Sequence, residues 1–595
     1  MRGSIRALLL ATSTAALPAF AQVTIPQEYE KTVQATRVIG ALGNDLFGES
    51  ISFYTGATSF SAVDVSIAGN NGLPVEARRR FIVESRSLSA RNRLLSRDGG
   101  FADWELDIPY LHGIFALKKG WQVDGWSTEG NEFRCSLDFA NMPEPPVVAG
   151  SPGGFWAAAE YWQGNHLHMP GTGDQEMLVT DPANTQRPAD GKTYKWVTNN
   201  QWYFSCLAGT ANGVPGDSFL AVDPAGNRYW FNWFAKRQVD VITKSTAGPI
   251  DTFSTDHTSS IAAAPIGSGS ALSREEVRIF VTRIEDRYGN RVDYTYDSAN
   301  PWRLLSISAS DGRMLIFSYN ATGHISAIHD GARTWVYAYG NGLTEVKLPD
   351  QSKWVIDFST LRNAYTTPYS GTSGLMCSVS EASSVQAVFT GTIIHPSGAQ
   401  GEFSFQSRTH GRSYVPKTCM KPAGLFEPID YAKRPFLFNS VGIVQKKISG
   451  PGIVAPGVWS YAYGPPNNSW EENCASGCIA TKTLEITGPG TWTRYTFGNR
   501  YRATEGQLVK VETGTSAAGV LSTEDTLYQN DPSGQPYPAV IGRSPFSRGD
   551  FMAERHAPVV QRRVLQQGVA MTYTVSEFDG FARPKVVTKS SVPSP

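Results

Sequence analysis

The sequence predicts an all-β fold built from antiparallel β-hairpin repeats, and three observations carry that prediction. Four consecutive segments open on Asp and close on an aromatic: Asp286 to Tyr296, Asp311 to Tyr319, Asp330 to Tyr339 and Asp350 to Phe358. Their closing aromatics lie 23, 20 and 19 residues apart, a period that suits one small supersecondary unit copied along the chain. Within the segments apolar residues alternate at period two, as in Trp335/Tyr337/Tyr339 and Trp354/Ile356/Phe358, which gathers them on one strand face. Finally, 57 Gly, 36 Pro, 24 Tyr and 15 Trp among 595 residues describe many turns and many aromatic-bearing strands, while long Ala/Leu/Glu/Lys helix patterns are missing.

One unit is legible from end to end. It runs from Tyr319 through the turn Asn320-Ala321-Thr322-Gly323, a strand from His324 to His329, the turn Asp330-Gly331-Ala332-Arg333 and a strand from Thr334 to Tyr339. Asp and Gly tolerate the positive φ angles of two-residue hairpin turns. A lone hairpin cannot bury its aromatic face, whereas stacked hairpins can, so the repeats are expected to wind into a partial β-shell preceded by an N-terminal β module.

In chain order, Arg2 and Arg6 followed by the apolar stretch Ala7 to Phe20 and the small-x-small pattern Ala19-Phe20-Ala21 read as a secretory signal peptide over 1–21. The stretch is too short and too rich in Ala, Thr and Ser for a membrane anchor, so the mature chain is expected outside the cytoplasm: periplasmic, cell-surface or extracellular. Residues 22–45 carry Tyr29, Val33 and Val38 at a spacing compatible with a short helix. The N-terminal module spans 46–243, with strands expected at Phe60 to Ile67, Glu76 to Ser85, Tyr194 to Thr198 and Tyr229 to Phe234. A Ser/Gly/Ala-rich loop or linker follows over 244–275. Repeats occupy 276–406, a Cys/Pro-rich insertion 407–480, and further repeats 481–595, marked by Trp492 to Phe497, Gly506 to Val511 and Tyr573 to Val587.

Lys plus Arg and Asp plus Glu both number 53, for a formal charge of +0. Such a chain has no global field to draw it onto nucleic acid or an anionic membrane. The cluster Arg78-Arg79-Arg80 reads as a solvated or salt-bridged strand of the N-terminal module, with a polyanion site as the alternative. The six cysteines, Cys135, Cys206, Cys377, Cys419, Cys474 and Cys478, are candidates for disulfides in an exported protein. Proximity suggests Cys135 with Cys206, Cys377 with Cys419 and Cys474 with Cys478. The Cys-x-x-x-Cys at 474 lacks a second ligand pair at zinc-finger distance.

Signals for chemistry are sparse. His166 and His168, followed by Asp174 and Glu176, would project from one strand face and form a His-x-His metal candidate, but a third ligand at firm spacing is absent. Gly267-Ser268-Gly269 lacks the strand-turn-helix context of a nucleophile elbow. Glu160, Asp286 and Asp311 could pair in space as glycoside hydrolysis requires, yet a turn already accounts for the two Asp residues. Phosphate-cradling glycine loops do not occur. The expectation is therefore a non-enzyme without catalytic residues, cofactor or metal.

Several motifs resemble a known family. Tyr296-Asp297, Asp311-Gly312-Arg313, Tyr319-Asn320-Ala321-Thr322-Gly323 and Phe578-Asp579-Gly580-Phe581-Ala582-Arg583-Pro584 look like the tyrosine-aspartate (YD) repeats of bacterial Rhs proteins. Asp45-Leu46-Phe47-Gly48, Tyr54-Thr55-Gly56, the run from Val63 to Val75 and Arg79-Arg80-Phe81 are similar to the start of the Rhs-type shell. The resemblance covers roughly residue 45 to the end. It implies a hollow β-shell around a C-terminal cargo, commonly a toxin, freed by self-cleavage within a conserved core. Here Asp223-Pro224-Ala225-Gly226 and Asp531-Pro532-Ser533-Gly534 are not followed by the leucine of the family's core motif, and neither core nor toxin is expected in this chain. The implied function is a secreted structural protein, part of a shell that binds or encloses a protein partner or a separately encoded shell or toxin piece. The alternatives are a carbohydrate-binding surface adhesin and a truncated or split shell of a polymorphic toxin system.

If the reading of 1–21 is right, N-terminal sequencing of protein recovered from the periplasm or medium will start near Gln22. Intact Met1 on a cytoplasmic main species would contradict it.

Overall fold

A computed structural model describes residues 46–86, 88–121, 133–136, 145–151, 154–245, 269–366, 387–417, 419–420, 431–432, 436–545 and 553–593. The stretches read as a signal peptide (1–21) and a short helix (22–45), most of the 244–275 linker and Cys377 lie outside these residues. Apart from Leu46, everything described belongs to the unit Phe47–Pro595.

The chain is all-β, as its composition predicts. Among the described residues, 29 strands join one antiparallel sheet that does not close into a barrel, and a separate four-stranded sheet comprises Glu49–Ile51, Thr58–Ser66, Glu76–Val83 and Glu105–Leu106. The large sheet is organised around its longest hairpin, Arg228–Ser245 with Gly269–Glu285. The second of these strands shares its other edge between Tyr110–Ala116 and Arg291–Tyr296. From Arg291 the strands follow as a meander to Val520–Tyr528, which pairs with Val559–Gln566 before the last hairpin, Val569–Phe578 with Pro584–Pro593. The excursion between 528 and 559 crosses to the N-terminal module, where Gly542–Arg543 pairs with Val179 and Thr180.

Two stretches differ from expectation. Residues 244–245 and 269–275, read as loop, continue the long hairpin, with Ser245 paired to Gly269. Small residues such as Ser270 and Ala271 satisfy a strand once a partner strand accepts their amides. Within 407–480, read as an insertion, Leu437–Ser449 and Gly457–Tyr463 are full members of the sheet. Their apolar faces, Val441, Ile443 and Ile448, carry no aspartate-turn signature to mark them.

The repeat turns explain the aspartates. Asp286 accepts the Tyr288 and Asn290 amides at 2.8 and 3.0 Å, Asn320 accepts those of Thr322 and His324 at 3.0 Å, and Asp579 accepts those of Phe581 and Arg583 at 2.8 and 2.9 Å. These are three-residue loops, one longer than the sequence suggests, closed by a residue in the left-handed region. Gly289 and Gly323 fill that place with φ of 85° and 84°. The turn after Asp330 is the two-residue kind, with Asp330 and Arg333 paired across Gly331 and Ala332.

The closing tyrosines follow a second rule. Tyr296, Tyr319, Tyr339 and Tyr528 each come immediately after a bulge in the strand pairing. The bulge re-aims the side chain, and each hydroxyl donates to a carbonyl one hairpin earlier: Tyr296 to Val281 at 2.7 Å, Tyr319 to Leu304 at 2.8 Å, Tyr528 to Leu508 at 3.1 Å, and Tyr339 to Ile325. The ring is thus packed while its polar end stays satisfied.

The repeats bury their aromatic face against the four-stranded sheet. Phe60 and Phe81 meet Phe358 at 4.7 and 5.2 Å between ring centroids, Trp104 stacks on Phe358 at 5.5 Å, and Phe101 meets Tyr337 at 4.7 Å. Phe358 is buried, whereas Tyr319 and Tyr339 are half-buried. Of the four closing aromatics, Tyr296 and Phe358 are thus fully buried and the other two only partly.

In the last repeat Ala582 occupies the left-handed turn position at φ 58°, where a Cβ is strained. Ala582→Gly is expected to raise the stability of that hairpin by about 0.5–1 kcal/mol; a lowered or unchanged denaturation midpoint would show the turn to be unstrained.

Candidate functional site

Four places gather chemistry-bearing side chains. The first is the predicted histidine pair. The hairpin His166–Met169 with Gly173–Glu176 sets His166 opposite Glu176 and His168 opposite Asp174, while His112 and Tyr110 flank them on the next strand. Alternation puts His166 and His168 on one face, as expected. His168 is nevertheless engaged at both ring nitrogens, Nε2 at 2.6 Å from Asp107 Oδ1 and Nδ1 at 2.6 Å from Asp174 Oδ1, and its ring stacks on Tyr110 at 4.6 Å. Burial would raise the Asp174 carboxyl, but hydrogen bonds and charge from His112 and His168 outweigh it and hold the group well below the carboxylate range. Burial and the neighbouring His112 push His166 down to about 4. Among the described residues no three His, Cys, Asp or Glu are placed to hold a metal ion. The arrangement serves as a buried polar clamp between three strands.

Beside it runs a ladder of charges. Arg278 donates to Glu276 and Glu105 at 2.6 and 2.9 Å, Arg237 to Glu276 at 2.7 Å, and Arg97 to Glu105 at 2.9 Å. Every member of the arginine cluster has a carboxylate within ion-pair distance: Arg78 with Glu76, Arg79 with Asp64 and Arg80 with Glu105. The salt-bridged strand is what the structure contains. Of the carboxylates weighed for glycoside chemistry, Asp286 holds its turn and Asp311 binds Arg313 at 2.8 Å and the Asn70 amide at 3.3 Å, while the Glu160 side chain lies outside the described set.

The second place is where the 529–558 excursion lands. Arg543 donates to Asp181 at 3.0 Å, Asn184 donates to the Ile541 carbonyl at 3.0 Å, and Ser544 donates to Glu176. Burial, aided by Glu554 against the Ser544 bond, pushes Glu176 up to about 7.

The third is an open cleft of about 320 Å³ whose walls include Lys118, Lys119, Arg134, Lys236, Trp121 and Trp302, with no carboxylate among its lining residues. Arg134 stacks over Phe234 at 4.5 Å and donates to the carbonyls of Asp217 and Pro215.

The fourth was not seen in the sequence. Lys482 is 6% exposed and its ammonium lies 3.3 Å from the centre of the Tyr54 ring. Neither its Nζ nor the buried Tyr54 hydroxyl has a hydrogen-bond partner among the described residues. Burial, with Arg412 adding to it and Glu505 opposing, pushes the amine down to about 7. The signal was available: in the strand Thr481–Gly488, Lys482 and Leu484 share the inward parity, so a lysine stands where the period-two pattern calls for an apolar residue.

Two of the three expected cysteine pairs are seen among the described residues, an arrangement compatible with an exported protein. Cys135–Cys206 and Cys474–Cys478 are bonded, with Cα atoms 5.5 and 5.2 Å apart; Cys419 is described in its backbone only. No helix among the described residues is long and apolar enough to cross a membrane.

No family model and no curated protein matches the chain. Among solved structures, it is matched to one described as the crystal structure of TcdB2-TccC3-Cdc42, at 10% identity and a TM-score of 0.16, over 90% of this chain and 26% of that one. The chain spans about a quarter of that neighbour's length. A superposition of that quality transfers neither fold nor function.

The Lys482 shift has a definite sign. Its folded pKa lies below the unfolded value of 10.5, so the unfolded chain binds the extra proton between about pH 7 and pH 10.5, and the folded state gains stability as pH rises through that window. In buffer free of small inorganic anions, Lys482→Met should remove this gain: subtracting the variant's stability–pH profile from the parent's should leave a rise confined to the window. A flat difference would show that the amine is solvated.

Proposed function

We propose that this chain is an exported, non-catalytic scaffold of the YD-repeat kind, part of a β-shell that binds or encloses a protein partner. The observation that carries the reading is the outer strand Pro584–Pro593. It is bonded only to Val569–Phe578 among the described residues, and all ten of its residues are exposed. Val586, Val587 and Val592 stand 42, 39 and 54% exposed. A strand with open amides and bare valines is a template for a further strand. The occupied His168, the turn-holding aspartates and the paired arginines support a structural rather than a catalytic assignment. The two disulfides support export, since such bonds persist in oxidising compartments.

Hydrogen exchange on the isolated protein tests the edge. The amides of 584–593 that face away from Val569–Phe578 are expected to exchange fast, and Val586→Lys with Val592→Lys should leave the melting midpoint unchanged. Strong protection there, or a loss of stability in the variant, would show that the edge is already covered and remove the ground for the reading.

A further inference from the structure

We propose that the chamber between Lys482 and Tyr54 is a binding site for one small monovalent inorganic anion of the chloride class. The chamber is about 10 Å³ and is lined by Phe53, His410, Tyr463 and Phe497, at the lower limit for a single small particle, so its rings must give slightly to admit an ion. Two polar groups line it without a partner among the described residues, the Lys482 ammonium and the Tyr54 hydroxyl. Both offer hydrogens, so the occupant has to accept them.

Charge separates an anion from water. Among the described residues around the chamber the cations outnumber their counter-ions. Arg408, 5.8 Å from the Tyr463 ring, donates to the neutral Gln406 amide at 2.7 Å, and its Nε is buried without a partner. Glu505, a nearby carboxylate, is held by Arg412 at 2.6 Å. His410 is buried, with Nε2 at 2.8 Å from Ser440 Oγ, and burial together with Lys482 keeps its ring neutral, at about 3. Water would fill the two hydrogen bonds and leave the buried ammonium uncompensated, whereas an anion supplies both the acceptor and the charge. The site also sits at a joint. Tyr54 belongs to the turn Ser52 to Gly56 of the N-terminal sheet, whose Thr55 and Gly56 carbonyls accept from Ser440 Oγ at 2.7 Å and the Ile443 amide at 3.0 Å. An ion shared by Tyr54 and Lys482 fastens that turn to the repeats.

Thermal unfolding of the exported protein at pH 6 and fixed ionic strength, in sodium chloride against sodium gluconate, reads the site out. At chloride near one hundred times the dissociation constant the midpoint should be about 2 °C higher than in gluconate. The difference should vanish in Lys482→Met and shrink in Tyr54→Phe. Long-wavelength diffraction should place an anomalous chloride peak between the two side chains. Equal midpoints in the two salts, a chloride effect that persists in Lys482→Met, or density without anomalous signal would each overturn the proposal in favour of a buried water.

Discussion

The burial of Arg79 between the two sheets is the interaction on which the rest depends. Its guanidinium lies 4.9 Å from the Trp104 ring and 5.2 Å from the Trp354 ring, while Nε is held by both oxygens of Asp64, and Asp64 in turn accepts the Tyr337 hydroxyl at 3.0 Å. Arg79 and Trp104 come from the N-terminal module, Tyr337 and Trp354 from the repeats. Removing either charge would strand the other in a site with almost no solvent, and breaking such a pair costs about 3–5 kcal/mol. The aromatic contacts around it supply the bulk of the adhesion; the ion pair and its hydroxyl fix which register of the two sheets is allowed. Similar pins recur along the seam, with Asp103 accepting the Leu343 amide at 2.8 Å and facing Arg362, and Lys446 bound to Glu49.

The repeats themselves are regular at two places and free elsewhere. Each has a residue whose side chain accepts the turn amides and a closing aromatic, which stands behind a bulge at Tyr296, Tyr319 and Tyr339 and just past the strand end at Phe358. Between those points the turns vary in length, with five residues between Asp297 and Arg303, three between Asn320 and His324 and two between Asp330 and Arg333. That variation lets the intervals drift through 23, 20 and 19 residues, and segments such as Leu437–Ser449 join the sheet without the signature.

Local rules were readable from the sequence and long-range ones were not. Asp286, Asn320 and Asp579 bond to amides two and four residues away, so composition and spacing reveal them. The strand alternation that placed His166 and His168 together is equally local. What occupies His168, by contrast, includes Asp107, 61 residues earlier, and the reason Lys482 is anomalous is an aromatic ring on a turn more than 400 residues before it. The two ends of the 244–275 segment are hidden for a related cause: small residues look like loop until the strand that pairs with them is known. Arg78-Arg79-Arg80 shows both cases: Arg78 finds Glu76 two residues away on its own strand face, whereas Arg79 and Arg80 find Asp64 and Glu105, 15 and 25 residues off, which local spacing does not nominate.

The crossing strand at Gly542–Arg543 bears on how the chain reaches its native state. Val179 and Thr180 find their partner more than 360 residues later, and the Asn184 amide waits equally long for Ile541. Contact order of this kind makes for slow folding, and a chain synthesised N-terminus first presents Phe60, Phe81 and Trp104 long before Phe358 exists to cover them. The early module is a half-core held open through synthesis. The strand at Gly542–Arg543, arriving late, is the latch on a structure begun at the other end.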